Sequence, residues 1–189
     1  NLNFIRLILI IASITIIKSQ ARDKIIVKSV EIDKEKNSWF NPEKNGWLAG
    51  DVGHSILLDE EKILWIFGDS FYGEFKEHKL KRDGLHINNC IAIQNTKISN
   101  DLVFYKGNDE NTRAFFPHPR KSFPGKFLWP TNGLYFDGLL YIFCQAMDID
   151  DTGFWTMVGT LVIEISIPND NPETWEKNYY DFNTKPWIS

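Results

Sequence analysis

The chain has 189 residues, 43% hydrophobic and 14% aromatic, enough for one domain of ordinary size with a sizeable core. Its 21 basic and 25 acidic residues leave a net charge of −4 with no basic stripe, so nucleic acid is not an expected partner and the charges read as a solvated surface. No Walker motif, Rossmann glycine set, Gly-x-Ser-x-Gly elbow or His-Glu-x-x-His segment occurs, which leaves nucleotide, serine-hydrolase and zincin chemistry without support.

Residues 1–21 read as a secretory signal peptide. Arg6 supplies the positive start, Leu7 to Ile17 a mostly apolar run, and Ser19-Gln20-Ala21 a small-x-small cleavage pattern. The alternative is a membrane anchor, but the run is short against the roughly 20 apolar residues that span a bilayer. The expected location is secreted or extracytoplasmic, with no stable membrane span. The chain starts at Asn1 and stops at Pro186-Trp187-Ile188-Ser189 without a closing element, so residues 22–189 read as the N-terminal part of a longer domain.

Ile25 to Ile32 predicts a short strand, followed by loop residues through Asn41-Pro42 and Asn45-Gly46. Val52 to Leu58, the polar turn Asp59-Glu60-Glu61 and Lys62 to Phe67 predict a hairpin that Gly68-Asp69 ends. A charged loop from Glu74 to Gly84 precedes strands over Ile87–Gln94 and Leu102–Tyr105. Phe115 to Pro130, rich in Pro, Phe and basic residues, predicts a long loop. Gly133 to Gln145 predicts a second hairpin about Asp137-Gly138, a strong two-residue turn. After an acidic turn at Asp148–Gly153 come a strand region over Phe154–Ile167 broken at Gly159, and a last strand within Trp175–Phe182. No stretch after the leader shows a convincing 3.6-residue apolar period, so the predicted fold is all-β.

The two hairpins resemble each other. Both run apolar strand, acidic turn, then an apolar-aromatic strand ending in Ile-Phe, with Trp65 matching Tyr141. A repeated four-stranded unit predicts β-propeller blades, here the first blades only. The separation is long for a blade, and Phe115–Pro130 is the candidate for the extra loop. In the first hairpin Ser55, Leu57, Ile63, Trp65 and Phe67 share one face, and Val52, Ile56, Leu58, Leu64 and Ile66 the other. Apolar residues on both faces predict a sheet covered on both sides. Cys90 and Cys144 sit in apolar runs; an exported protein could join them, but two buried thiols fit equally well.

A turn centred near Glu60 sets the antiparallel register. Residue 53 then pairs with 67, 55 with 65, and Asp51 falls opposite Asp69. Opposed side chains have Cβ atoms roughly 4.5–5.5 Å apart. Two carboxylates that close cannot both ionise easily, so one pKa rises. A raised and an ordinary carboxyl are the pair glycoside hydrolysis needs. The structural alternative is that both residues shape turns beside Gly50 and Gly68.

Gly50-Asp51-Val-Gly-His-Ser, then Leu64-Trp-Ile-Phe-Gly-Asp69-Ser-Phe-Tyr-Gly73, then Arg82 and Asn88-Asn89, resembles the opening of a family of secreted propellers, domain-of-unknown-function family 4185. That family is similar to five-bladed propeller glycosidases, and some members are endo-D-arabinanases. The resemblance covers about Gly46 to Gln145. It implies that Asp51 and Asp69 are the acidic residues of the family's first hairpin and that Arg82 and Asn89 follow them in the site. The Asn-Asp-Pro-Asn motif of better-known propeller glycosidases is absent.

The expected activity is a glycoside hydrolase-like one on polysaccharide, with Asp51 and Asp69 catalytic and Arg82, Asn89 and Trp129 binding substrate. The alternative is a non-catalytic glycan-binding propeller. Trp129 could stack on a sugar or pack in the core. His54 falls on the face away from Asp51 and is assigned to packing. Asp148-Ile-Asp150-Asp151-Thr-Gly153 has the third Asp one place early for a calcium loop. No metal and no cofactor are expected.

Overall fold

The computed structural model describes residues 26–40, 46–76, 79–80, 85–98, 102–107, 114–119, 122–166 and 171–182. The chain divides into two compact units, Asn1–Ile32 and Asp33–Ser189. In the first, residues 26–32 carry no regular secondary structure. The strand expected over Ile25–Ile32 therefore does not form in them: none of the described residues pairs with them in a ladder to take up their backbone groups. The leader assigned to residues 1–21 lies outside the described residues. Among the described residues no helix is long and apolar enough to cross a membrane.

The second unit opens with helix α1, Lys34–Trp39, too short to show a period in the sequence. Asp33 caps it, its Oδ1 accepting from the Lys36 N–H at 3.0 Å. Among the described residues all else regular is β apart from one 3₁₀ turn at Pro172–Thr174. The strands are β1 Trp47–Gly50, β2 His54–Leu57, β3 Lys62–Phe67, β4 Ser70–Tyr72, β5 Phe75–Lys76, β6 Lys79–Leu80 and β7 Leu85–Ile87. They continue as β8 Cys90–Asn95, β9 Leu102–Tyr105, β10 Phe127–Phe136, β11 Leu139–Ile149, β12 Trp155–Ser166 and β13 Glu176–Asp181.

Two four-stranded antiparallel sheets dominate, ordered β2-β3-β8-β9 and β10-β11-β12-β13. A smaller sheet β1-β4-β7 and a hairpin β5-β6 accompany the first, with β4 to β7 inserted between its strands β3 and β8. The fold is all-β, with no sheet among the described residues closed into a barrel, and is consistent with a partial β-propeller. Trp65 on β3 and Tyr141 on β11 each occupy the second strand of a four-stranded sheet, so the sequence repeat corresponds to a repeat in space. The first strands of the two sheets approach closely. A Cβ on Gly133 of β10 would lie 2.6 Å from Ile56 Cδ1 of β2 and 2.7 Å from the Tyr141 carbonyl. Only glycine fits there.

Between the large sheets lies the main core. Alternate residues of β11, Leu140, Ile142, Cys144 and Ala146, face it and meet Leu64 and Ile66 from β3. Each fully buried Leu or Ile contributes roughly 1.5–3 kcal/mol relative to exposure. The other face of the first sheet is covered by α1 and β1-β4-β7, which enclose Trp47, Phe67, Cys90 and Ala92 with Trp65 and Phe40 packed against them. The cover stops short of the β2–β3 turn, so Leu57 stays 64% exposed. Cys90 and Cys144 are free thiols in these two separate clusters.

Three expected boundaries shift. Phe127–Pro130 belongs to β10, and Phe115, Phe116 and His118 are buried rather than looped outward. The additional length between the repeats includes the β4–β7 insertion, much of which the sequence pattern read as a charged loop over Glu74–Gly84. Gly159 does not break β12; it admits Pro124, whose Cγ would lie 2.7 Å from a Cβ there. A bulge lies beside it on β12: Ala146 pairs with Gly159 and Met147 with Met157, which leaves Val158 as the extra residue.

Candidate functional site

The β2–β3 ladder pairs His54 with Ile66 and Ser55 with Trp65. Beyond a break, the β1–β4 ladder pairs Gly50 with Ser70 in the same register. Residues 51–53 and 68–69 are the break, where one ribbon leaves the small sheet and enters the large one. Val52 and Gly53 take φ of 67° and 60°, so β2 begins at His54 and not at Val52. A left-handed β-branched residue costs about 1–3 kcal/mol, so packing and hydrogen bonds must hold this turn. The Asp51 N–H donates to the Asp69 carbonyl at 3.1 Å, and the Gly68 and Gly53 N–H groups donate to the Asp51 carbonyl at 3.2 and 2.9 Å.

Asp51 and Asp69 thus lie side by side at the break. The Asp51 carboxylate packs on the Cα of Gly68, where any side chain would collide with it. Asp51 is exposed and Asp69 partly buried. The Asp69 carboxyl is held above its ordinary value, first by burial and further by the charge on Asp51. His86 and the Trp129 indole N–H act in the opposite sense without reversing the shift.

Sequence reasoning missed His86. It lies on β7 directly opposite Phe71 of β4, and their rings are 5.0 Å apart. Asp69 is two residues before Phe71, which makes it a diagonal neighbour of His86. His86 Nε2 is 3.6 Å from Asp69 Oδ1, an ion pair whenever the ring is protonated. The signal lay in the Leu85-His-Ile alternation, but pairing with β4 crosses a segment that reads as charged loop.

Trp129, on β10, reaches this site from the second large sheet. Its ring sits 5.2 Å from Trp155, the first residue of β12, and Phe127 closes on Trp155 at 5.1 Å. Phe127 and Trp129 point away from Leu128, which is buried in the main core.

Asn89 is fully buried, and its side chain is already committed. Nδ2 donates to the Phe116 and Leu128 carbonyls at 3.2 and 2.9 Å, while Oδ1 accepts from the Phe116 N–H at 2.7 Å. It ties three segments together as a brace. Arg82 lies outside the described residues. His54 is half-buried on β2. Asp150 Oδ1 accepts from the Thr152 N–H and hydroxyl and from the Phe154 N–H, at 2.9, 2.6 and 3.0 Å. That is the work of an Asx turn. Among the described residues no three His, Cys, Asp or Glu side chains gather as metal ligands would.

The arrangement offers one shielded carboxyl, one exposed carboxyl, an imidazole and an indole N–H around a single break in a ribbon. A shielded carboxyl retains its proton to higher pH and can act as an acid.

Comparison with curated proteins gives no match. A crystal structure described as that of a "putative hydrolase" from Bacteroides ovatus ATCC 8483 is similar in fold. Its TM-score is 0.60 at 20% sequence identity, over 78% of this chain and 47% of that one. The chain thus spans about half the length of that protein. A family model for Domain of unknown function DUF5005 matches residues 33–189. Its number differs from that of the family the motifs resemble. This chain, through the whole of its second compact unit, belongs to the DUF5005 family.

Proposed function

We propose that the chain carries the carboxylate pair of a secreted hydrolase acting on polysaccharide. Asp69 is the proton donor and Asp51 the base or nucleophile. Protonating the glycosidic oxygen requires an acid that still holds its proton near neutral pH, and the second carboxylate must accept a proton from water or attack the sugar carbon. The observation that carries this reading is the meeting of Asp51 and Asp69 across the broken ribbon, with Asp69 shifted upward by burial and by its neighbour. His86 can hold Asp69 in orientation, and Trp129 lines the same side. The likeness in fold to a protein described as a hydrolase supports the class of chemistry, and the motif resemblance to propeller glycosidases supports the substrate class. Asn89 has no part in substrate contact here, because its hydrogen bonds are spent internally.

The test is release of reducing sugar from a polysaccharide panel, arabinans first, by the parent and by Asp51→Asn and Asp69→Asn. Activity in the parent and its loss in both folded variants is expected. A parent that binds glycan without turnover, with binding unchanged in both variants, favours the non-catalytic reading, for which the aromatic cluster around Trp129 is the supporting observation.

A further inference from the structure

We propose that Trp129 and His86 are positioning residues that hold Asp69 by one carboxyl oxygen, Oδ1, and so make Oδ2 the atom that carries and gives up the catalytic proton. This inference rests on the hydrolase reading above and assigns its acid to a single atom.

Two nitrogens converge on Asp69 from different strands. His86 Nε2, on β7, stands 3.6 Å from Oδ1, and the Trp129 indole N–H, on β10, faces the same carboxyl. Asp69 Oδ1 and Trp129 Nε1 are both closed to solvent, and neither has a hydrogen bond of ordinary length. The Asp69 side chain nevertheless keeps 33% of its surface exposed, so the open oxygen is Oδ2. Both donor rings are themselves held by rings. Phe71 lies 5.0 Å from His86, and Trp155 lies 5.2 Å from Trp129. Asp51 is the remaining charged group that faces Asp69 among the described residues.

Donor chemistry decides which oxygen holds the proton. An indole N–H only donates, whereas an imidazole can present a donor or an acceptor at Nε2. A proton on Oδ1 would crowd the indole hydrogen in a closed space, while on Oδ2 it points to the open side. The long contacts suit a neutral acid, because donors just beyond hydrogen-bond length gain little from Oδ1 while Asp69 is protonated. The proton passes from Oδ2 to the glycosidic oxygen as that oxygen's bond to the sugar carbon breaks and takes the bonding electron pair with it. A full charge then stands on the carboxylate, and both N–H groups draw in on Oδ1. Their pull is therefore stronger after the proton leaves than before, which is the condition for lowering a barrier. Water completes the hydrolysis: its hydroxyl goes to the sugar carbon and its proton restores Asp69.

Carbon-13 NMR titration of the full chain tests the clamp without a substrate, the Asp69 signal being identified by its loss in Asp69→Asn. Trp129→Phe keeps a ring against Trp155 and removes the N–H. The Asp69 pKa should rise by about one unit, because the ionised form loses a donor. His86→Leu, at a half-exposed position, should move it in the same direction, and Trp155→Phe should leave it unchanged. Thermal melts of each variant confirm folding. Turnover is measured in parallel on whichever polysaccharide of the panel the parent cleaves. There kcat of Trp129→Phe should fall about tenfold or more with KM unchanged, and the basic limb of its pH profile should move up. His86→Gln, which keeps an N–H near the place of Nε2, should retain more activity than His86→Leu. An Asp69 titration unmoved in both Trp129→Phe and His86→Leu overturns the clamp. So does a raised KM with kcat intact in Trp129→Phe, which would make Trp129 a substrate contact. A parent without turnover removes the hydrolase reading alone; a shifted Asp69 titration would then still support the clamp, and an unshifted one would overturn it.

Discussion

Replacing Asn89 with alanine separates a brace from a substrate contact. The side chain makes three hydrogen bonds, two as donor to the carbonyls of Phe116 and Leu128 and one as acceptor from the Phe116 N–H. Phe116 and Leu128 are 0% and 1% exposed, so Asn89→Ala strands backbone groups in a dry setting. Each buried group left without a partner costs about 1–3 kcal/mol. Partial relaxation keeps the total below the simple sum, at about 3–5 kcal/mol, a large share of the ~5–15 kcal/mol typical of a domain. At about 2–4 °C per kcal/mol for a chain of this size, the unfolding midpoint should fall by roughly 6–20 °C. Urea unfolding followed by tryptophan fluorescence gives the free energy directly, and the slope should not change. Asn89→Asp should also destabilise at neutral pH, since it keeps the acceptor, loses the amide donors and buries a charge. A loss below about 1 kcal/mol in Asn89→Ala, within the range of an ordinary surface change, would refute the brace and return Asn89 to the list of ligand contacts.

Asp69, whose carboxyl is raised by burial first and by Asp51 after it, ionises less readily folded than unfolded. Its contribution to stability is therefore present at low pH and is lost as pH rises from the ordinary carboxylate value through the folded one. Asp69→Asn should abolish that step in a series of thermal melts; parallel pH profiles in parent and variant would contradict it. Gly68→Ala should push the Asp51 carboxylate aside, because the new Cβ collides with it and lies 3.2 Å from Val52 Cγ2. Carbon-13 NMR titration should then show the Asp69 pKa moving down toward 3.8, at a stability cost of about 1 kcal/mol; an unmoved titration argues against the pairing. Cys90 and Cys144, both buried and free, have thiol pKa values pushed up chiefly by burial. A thiol reagent should find neither in the native protein and both after denaturation, and silence after denaturation would mean they are bonded.

Much of the first hairpin was legible because its information is local. Apolar alternation and a short polar turn set which residues oppose which, and a slip of one residue would turn Ile56, Leu64 and Ile66 out of the core. The register near Glu60 therefore survives in the structure, and so does the approach of Asp51 to Asp69. The break between them was less visible, since Val52 is a poor candidate for left-handed backbone and only the backbone hydrogen bonds around it account for its conformation. Phe115–Pro130 misled for a related reason. Prolines mark it as a loop, yet Phe115 and Phe116 are drawn inward and Asn89 holds the backbone there.

Composition, period and turn residues determined by themselves that this chain is all-β, that it holds two similar hairpins, and how the first is paired. Tertiary structure alone decided that Asn89 is a brace, that His86 stands beside Asp69, and that Trp155 joins Trp129 across β11. These contacts join residues on separate strands, and a local pattern records the period of each strand without recording which neighbour will cover its face. Burial then sets the chemistry, because the same carboxyl is ordinary in water and raised where packing excludes it.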